Sequence, residues 1–203
     1  MSADSQGTGR FLPIQTCPQW LDPETADALL AYAIENEARF KPAGILYRGD
    51  AQIDRTLRNT GWLDTLGPFQ ALLESRALNA KPELERAFGV PPFKATRVEI
   101  ELLAYGDDAH FGRHIDTFVV VKQAPSPRVL TLVLYLHRRP AGFTGGALRF
   151  HALGGSQVRD VVPEHNLLVA FPAIAPHSVE PVACPGGRFA DSRFAVIMWI
   201  QGF

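Results

Sequence analysis

Cysteine is nearly missing: Cys17 and Cys184 are the only two in 203 residues. They lie far apart and match no metal-binding or redox spacing, so neither a disulfide framework nor a zinc knuckle is expected. Two thiols in a reducing cytosol fit this usage. Charge of one sign is missing too, the formal net charge being −1. A nucleic-acid surface needs a clustered basic face, and the longest basic run is only His137-Arg138-Arg139. Long apolar runs are also absent. The opening MSADSQGTGR is polar, so residues 1–10 are expected to be disordered, with neither a signal peptide nor a membrane anchor. The expectation is a cytoplasmic protein that neither spans a membrane nor binds nucleic acid. Oligomeric state is not legible.

What is present is apolar content for a core, 46% of residues, in a length suited to one domain over 11–203. The texture changes near Pro91-Pro92. Residues 11–92 read mainly as helix. Asp22 caps a first helix with Pro23 at its first position, and Leu29, Leu30, Ala33 and Ile34 form its apolar stripe. Further helices are predicted over 66–78 and from Pro82 to Gly89, and short strands flank Gly49-Asp50. Residues 93–203 read as short strands punctuated by turns: 96–105, 115–121, 129–136, 147–151, 157–161, 167–171, 177–182 and 192–201. Helices followed by eight strands predict an α+β chain with a jelly-roll core, a double-stranded β-helix whose mouth can hold a metal.

Chemistry concentrates in the second part. His114 and Asp116 are two residues apart, a spacing that puts both on one face of a strand. With His177 they make two imidazoles and a carboxylate, the set that holds Fe(II) on one side and leaves other positions open. A lone HxD recurs by chance, and taken alone it is weak. His110 and His114 are four apart but lack the HExxH pattern of zinc proteases; His137, His151 and His165 read as structural or surface residues. Arg193 opens the last strand, where Arg193, Ala195, Ile197 and Trp199 share a face. A guanidinium on an otherwise apolar strand either reaches solvent or grips a carboxylate with its two-pronged fork. Arg188, in a glycine-rich loop, competes for that role.

As a set these segments resemble the Fe(II)/2-oxoglutarate dioxygenases of the prolyl 4-hydroxylase-like group. The resemblance rests on LAYGDDAHFGRHID (103–116), RVLTLVLYL (128–136), GGALRF (145–150), PEHNLLVAFP (163–172), HSVEPV (177–182) and RFAVIMWI (193–200), all in family order and together about half the chain. It implies that His114, Asp116 and His177 ligate iron and that Arg193, six residues before Trp199, pairs with the distal carboxylate of 2-oxoglutarate. Tyr135 would donate to that carboxylate, Tyr105 would line the pocket, and Thr131 would join them. The segment between His177 and Arg193 is a few residues longer than usual in the family, which puts its loop geometry in question.

The reaction so implied is oxidative decarboxylation of 2-oxoglutarate, with O2, to succinate and CO2, coupled to hydroxylation of a C–H bond. Any need for L-ascorbate stays open. Asp116 favours hydroxylation, since related halogenases lack this carboxylate. The substrate is left as amino-acid-like, peptidyl or another small molecule. Glu101 shares a strand face with Tyr105. It either forms an internal salt bridge, with Arg97, Arg55 or Arg58, or receives a substrate cation or amide. Arg55 and Arg58 could face the barrel mouth. Two other classes compete: a non-catalytic metal- and 2-oxoglutarate-binding sensor, and a zinc hydrolase, which would need no carboxylate anchor.

Overall fold

The computed structural model describes residues 9–47, 50–117 and 126–203. Strand β1 (Gln15–Pro18) leads into helix α1 (Pro23–Glu35). Asp22 caps this helix, its carboxylate accepting from the Thr25 N–H at 2.9 Å, with Pro23 in the first turn. Short strands β2 (Lys41–Pro42), β3 (Ile45–Tyr47), β4 (Asp50–Gln52), β5 (Arg58–Asn59) and β6 (Gly61–Leu63) follow. The residues between β3 and β4, including the expected turn at Gly49, lie outside the described residues.

Helix α2 spans Gln70–Phe88 without interruption. The sequence predicts two helices broken before Pro82, and here the structure differs. A proline inside a helix costs about 3 kcal/mol because it loses one backbone bond and crowds the preceding turn. Burial of Leu73, Ala77 and Leu84 against the sheet carries the helix through. The Glu85 carboxylate adds to this by accepting from Lys81 Nζ and the Phe93 N–H. Gly89 ends the helix at φ +64°, a left-handed conformation open to glycine.

The remaining strands are β7 (Ala95–Tyr105), β8 (His110–His114), β9 (Arg128–Leu136), β10 (Thr144–Gly145), β11 (Leu148–His151), β12 (Val158–Val161), β13 (Leu167–Pro172), β14 (His177–Val179), β15 (Val182–Ala183) and β16 (Arg193–Gly202). They form a seven-stranded sheet in the order β1-β13-β9-β16-β7-β6-β2 and a five-stranded sheet in the order β12-β11-β14-β8-β5. Every pairing in both sheets is antiparallel. The part before residue 93 is thus not only helical. It contributes β1 to one edge of the large sheet and β6 and β2 to the other. Arg10, inside the stretch expected to be disordered, bridges Leu153.

Alternation along the central strands sorts the core into two layers. Phe194, Val196, Met198 and Ile200 of β16, with Leu130, Leu132, Leu134 and Leu136 of β9, face the helices. Ala195, Ile197 and Trp199, with Val133 and Tyr135, face the smaller sheet. A strand buried on both faces reads as a near-continuous apolar run, and every residue of β16 is buried. The second layer is the interior of the jelly roll, and the polar side chains on it are the chemically informative ones. Among the described residues no helix is long and apolar enough to cross a membrane.

Candidate metal and co-substrate site

His114 ends β8, His177 begins β14, and the two are directly paired across these strands. Asp116 does not lie on a strand. Of the strand expected over 115–121, residues 115–117 are not in a strand, which corrects that part, and 118–121 lie outside the described residues. The Ala173 carbonyl pins the loop instead, accepting from the N–H groups of Asp116 (2.8 Å) and Thr117 (3.1 Å). This pin folds the Asp116 carboxylate back toward both imidazoles. Oδ1 lies 3.5 Å from His114 Nε2, and Oδ2 lies 3.7 Å from His177 Nε2. One ligand atom from each of the three residues lies within 4.8 Å of the others.

The protonation pattern suits a cation. Each imidazole Nδ1 faces a backbone carbonyl two residues back, Gly112 for His114 (2.8 Å) and Ala175 for His177 (2.9 Å). A carbonyl only accepts, so Nδ1 donates and Nε2 keeps its lone pair for a metal. Burial, reinforced by neighbouring His114, pushes His177 down to about 4, so this imidazole is neutral at ordinary pH. Burial pushes the Asp116 carboxyl up, but in acid the charge of protonated His177, the contact with His114 and the Thr131 hydroxyl outweigh it and hold it well below the usual carboxylate range. Thr131 Oγ1 donates to Asp116 Oδ2 at 2.8 Å. Thr131, expected beside the co-substrate carboxylate, has its hydrogen bond to the metal-site carboxylate.

Along the interior face of β16 lies Arg193, 1% exposed. The β16–β7 register sets it opposite Tyr105, and β16–β9 pairing sets the next residue on that face, Ala195, opposite Tyr135. The guanidinium carbon stands 4.5 Å from the Tyr105 ring centre and 4.6 Å from that of Tyr135. Arg193 Nε and Nη1 and the Tyr135 hydroxyl are buried without hydrogen-bond partners. Burying a cation this way costs several kcal/mol unless a ligand completes it. Burial pushes the Tyr135 phenol up to about 12 and raises Tyr105 as well, so both hydroxyls stay protonated and able to donate. The Gly145-Gly146 pair acquires a reason here: a Cβ on Gly146 would meet Arg193 Cδ at 2.8 Å. The rival Arg188 is already engaged, Nε donating to Asp191 Oδ2 at 2.6 Å.

The orphaned fork and phenol fit a carboxylate, and the two imidazoles and carboxylate fit a dication. A family model described as the 2OG-Fe(II) oxygenase superfamily matches residues 100–201. The chain belongs to this superfamily. Membership brings Fe(II) and 2-oxoglutarate with it, as the family's description states. An uncharacterised PKHD-type hydroxylase of Synechocystis is 30% identical over 141 residues, 66% of this chain and 46% of that protein. The chain therefore spans about half the length of this curated relative. Among solved structures, a Pseudomonas putida prolyl-4-hydroxylase aligns with TM-score 0.68 at 22% identity, covering 93% of this chain and 92% of its own. A prolyl hydroxylase of Trichoplax adhaerens, in complex with a hypoxia inducible factor peptide fragment, aligns with TM-score 0.69 at 16% identity, covering 94% and 84%. At such identities these two establish the shared jelly-roll fold.

The substrate candidates divide. Glu101 and Arg58 meet, Arg58 Nη2 lying 3.5 Å from Glu101 Oε2. Arg55 is exposed. Sequence reasoning missed Phe111, whose ring stacks on His114 with centroids 3.7 Å apart. It also missed the edge-on contact of Phe171 with His177 at 4.8 Å. Phe171 sits on the interior face of β13, so alternation could have found it; Phe111, three residues before His114, carried no such signal.

Proposed function

We propose that this chain is an Fe(II)/2-oxoglutarate-dependent dioxygenase that hydroxylates an unactivated C–H bond. In the overall reaction 2-oxoglutarate, O2 and R–H give succinate, CO2 and R–OH. The observation that carries the reading is the buried, unpartnered fork of Arg193 beside the orphaned Tyr135 hydroxyl, in the same interior as the His114/Asp116/His177 cluster. A pure metal binder has no use for that anchor, and a zinc hydrolase would gain nothing from it.

His114 and His177 would ligate iron through Nε2, and Asp116 through its carboxylate. Bound iron and 2-oxoglutarate supply the oxidising power for O2 activation. The protein's own part is orientation and a dry site. Arg193 grips the distal carboxylate, Tyr135 donates its hydroxyl to the same group, and Tyr105 walls the pocket. Thr131 holds Asp116 in its ligating orientation. Presence of the Asp116 carboxylate favours hydroxylation over halogenation. Residues 11–203 act as one catalytic domain, and the two unpaired cysteines fit a cytoplasmic setting.

Anaerobic addition of Fe(II) and 2-oxoglutarate to the metal-free protein tests this. A weak visible charge-transfer band is expected with both together and with neither alone. On admitting air, succinate should form, and added ascorbate shows whether an auxiliary reductant is needed. A band without succinate under any substrate would favour the sensor.

A further inference from the structure

The interior face of β7 carries two carboxylates one pleat apart, Glu99 and Glu101, and the fold treats them differently. Glu99 is fully engaged: Arg128 donates through Nε at 3.0 Å and Nη2 at 2.7 Å, and Gln201 Nε2 donates at 2.7 Å. Glu101 faces Arg58 across 3.5 Å, beyond the 2.7–2.9 Å of a good charge-assisted bond. Glu101 Oε2 and Arg58 Nε are both buried without a hydrogen bond. Arg58 is nevertheless anchored, Nη1 donating to the Gly44 carbonyl at 2.9 Å and the guanidinium lying 4.9 Å from the Phe111 ring centre. A fold that needed only an internal ion pair could close this one as it closes Glu99 and Arg128.

The pair also belongs to the metal-site cavity. Phe111 links Arg58 to His114 by stacking on both. Glu101 lies opposite Ile197 of β16, on the same interior face of β7 as Tyr105, against whose ring the Arg193 guanidinium stands. Arg58 also lines a cleft of about 260 Å³ whose lining includes Lys41 and Arg55 and no carboxylate. The cationic end of the pair thus opens toward more positive charge, and the anionic end points into the barrel.

We propose that Arg58 and Glu101 form the substrate clamp, and that the primary substrate is a free α-amino acid held by its zwitterionic headgroup. The substrate carboxylate accepts from Arg58 Nε, with Arg55 and Lys41 adding positive charge nearby. The substrate ammonium donates to Glu101 Oε2. Both orphaned atoms gain a partner and no net charge is added to the interior, which a singly charged ligand cannot achieve. A peptide amide meets the same two atoms with partial charges only and gains less. The inference rests on the dioxygenase reading above and names its substrate class.

The test loads the full chain with Fe(II) and 2-oxoglutarate, admits air and follows succinate formation. Each proteinogenic L-amino acid is compared with its Nα-acetyl, α-carboxamide and doubly capped forms. At least one free amino acid should stimulate turnover, and capping either end should raise its KM by about tenfold or more, the worth of one charge-assisted hydrogen bond. In Glu101→Gln the penalty for acetylation should collapse while that for amidation persists; in Arg58→Gln the reverse is expected. These ratios are taken within one protein, so partial loss of fold does not imitate them. Stimulation by doubly capped residues or peptides alone, equal response to free and capped forms, or no response to any free amino acid overturns the proposal. The charge-transfer band of the wild type separates the two layers: its presence with any of those results leaves the dioxygenase reading standing, and its absence sinks both.

Discussion

Arg193→Met is expected to leave the metal-free protein about as stable as wild type while abolishing its response to 2-oxoglutarate. An ordinary buried arginine is paired, and removing it strands its partner at a cost of about 3–5 kcal/mol. Arg193 has no hydrogen-bond partner at Nε or Nη1, so its removal strands nothing there. What is lost is contact with the rings of Tyr105 and Tyr135, at 4.5 and 4.6 Å, worth about 1–2 kcal/mol each. What is gained is relief from desolvating an unpaired cation, also several kcal/mol. The two nearly cancel, and the net change should stay within about 1 kcal/mol. For a chain of this size that is a Tm shift within about 4 °C, whereas a paired arginine would cost roughly 6 °C or more. With Mn(II) in place of iron to prevent turnover, 2-oxoglutarate at about a hundred times its Kd should stabilise wild type by about 2.7 kcal/mol. The variant should show no such shift. Thermal melts with and without ligand measure both arms. A large loss in the metal-free variant, or a retained 2-oxoglutarate shift, would refute the account of Arg193 as an anchor waiting for a carboxylate.

Three further outcomes follow from the metal cluster. Asp116→Ala should abolish iron-dependent succinate formation, and near-normal turnover would sink the three-ligand assignment. Thr131→Val removes the 2.8 Å hydrogen bond to Asp116 Oδ2 with little change in volume; iron affinity should fall about ten- to a hundredfold, and an unchanged metal titration would count against the positioning role. His177 makes the metal-free protein acid-sensitive. Unfolded, it takes a proton near 6.5; folded, only near 4. The unfolded state therefore binds more protons in that window, and stability should fall by up to about 3 kcal/mol as pH drops from 6.5 to 4, with no contribution from this group above 7. Melting curves of the metal-free protein between pH 7 and 4.5 would show it, and a flat profile would contradict a neutral buried imidazole.

Much of the site was legible because strands write themselves in period two. The alternation of β16 put Arg193 on the face of Ala195, Ile197 and Trp199, and that face is the jelly-roll interior. The helix over 23–35 was legible from Asp22, Pro23 and its apolar stripe, since capping and amphipathicity are local properties. Local rules failed where distant atoms decided. Pro82 signals a break, yet burial of Leu84 and the Glu85 contacts hold α2 together across it. The HxD spacing suggested one strand bearing both ligands, yet the Ala173 carbonyl, far along the chain, sets Asp116 on a loop.

Residue identity and order alone therefore determined the chemical inventory: two imidazoles, a carboxylate, an interior arginine and the layered jelly roll that carries them. Tertiary structure decided the partners. It gave Thr131 a hydrogen bond to Asp116, and Arg188 to Asp191, which left Arg193 unclaimed. From three arginines named near Glu101 it chose Arg58 and held the pair slightly open. The physical reason is that a side chain's type and facing are local, whereas hydrogen-bond satisfaction depends on every atom the fold brings within 3 Å.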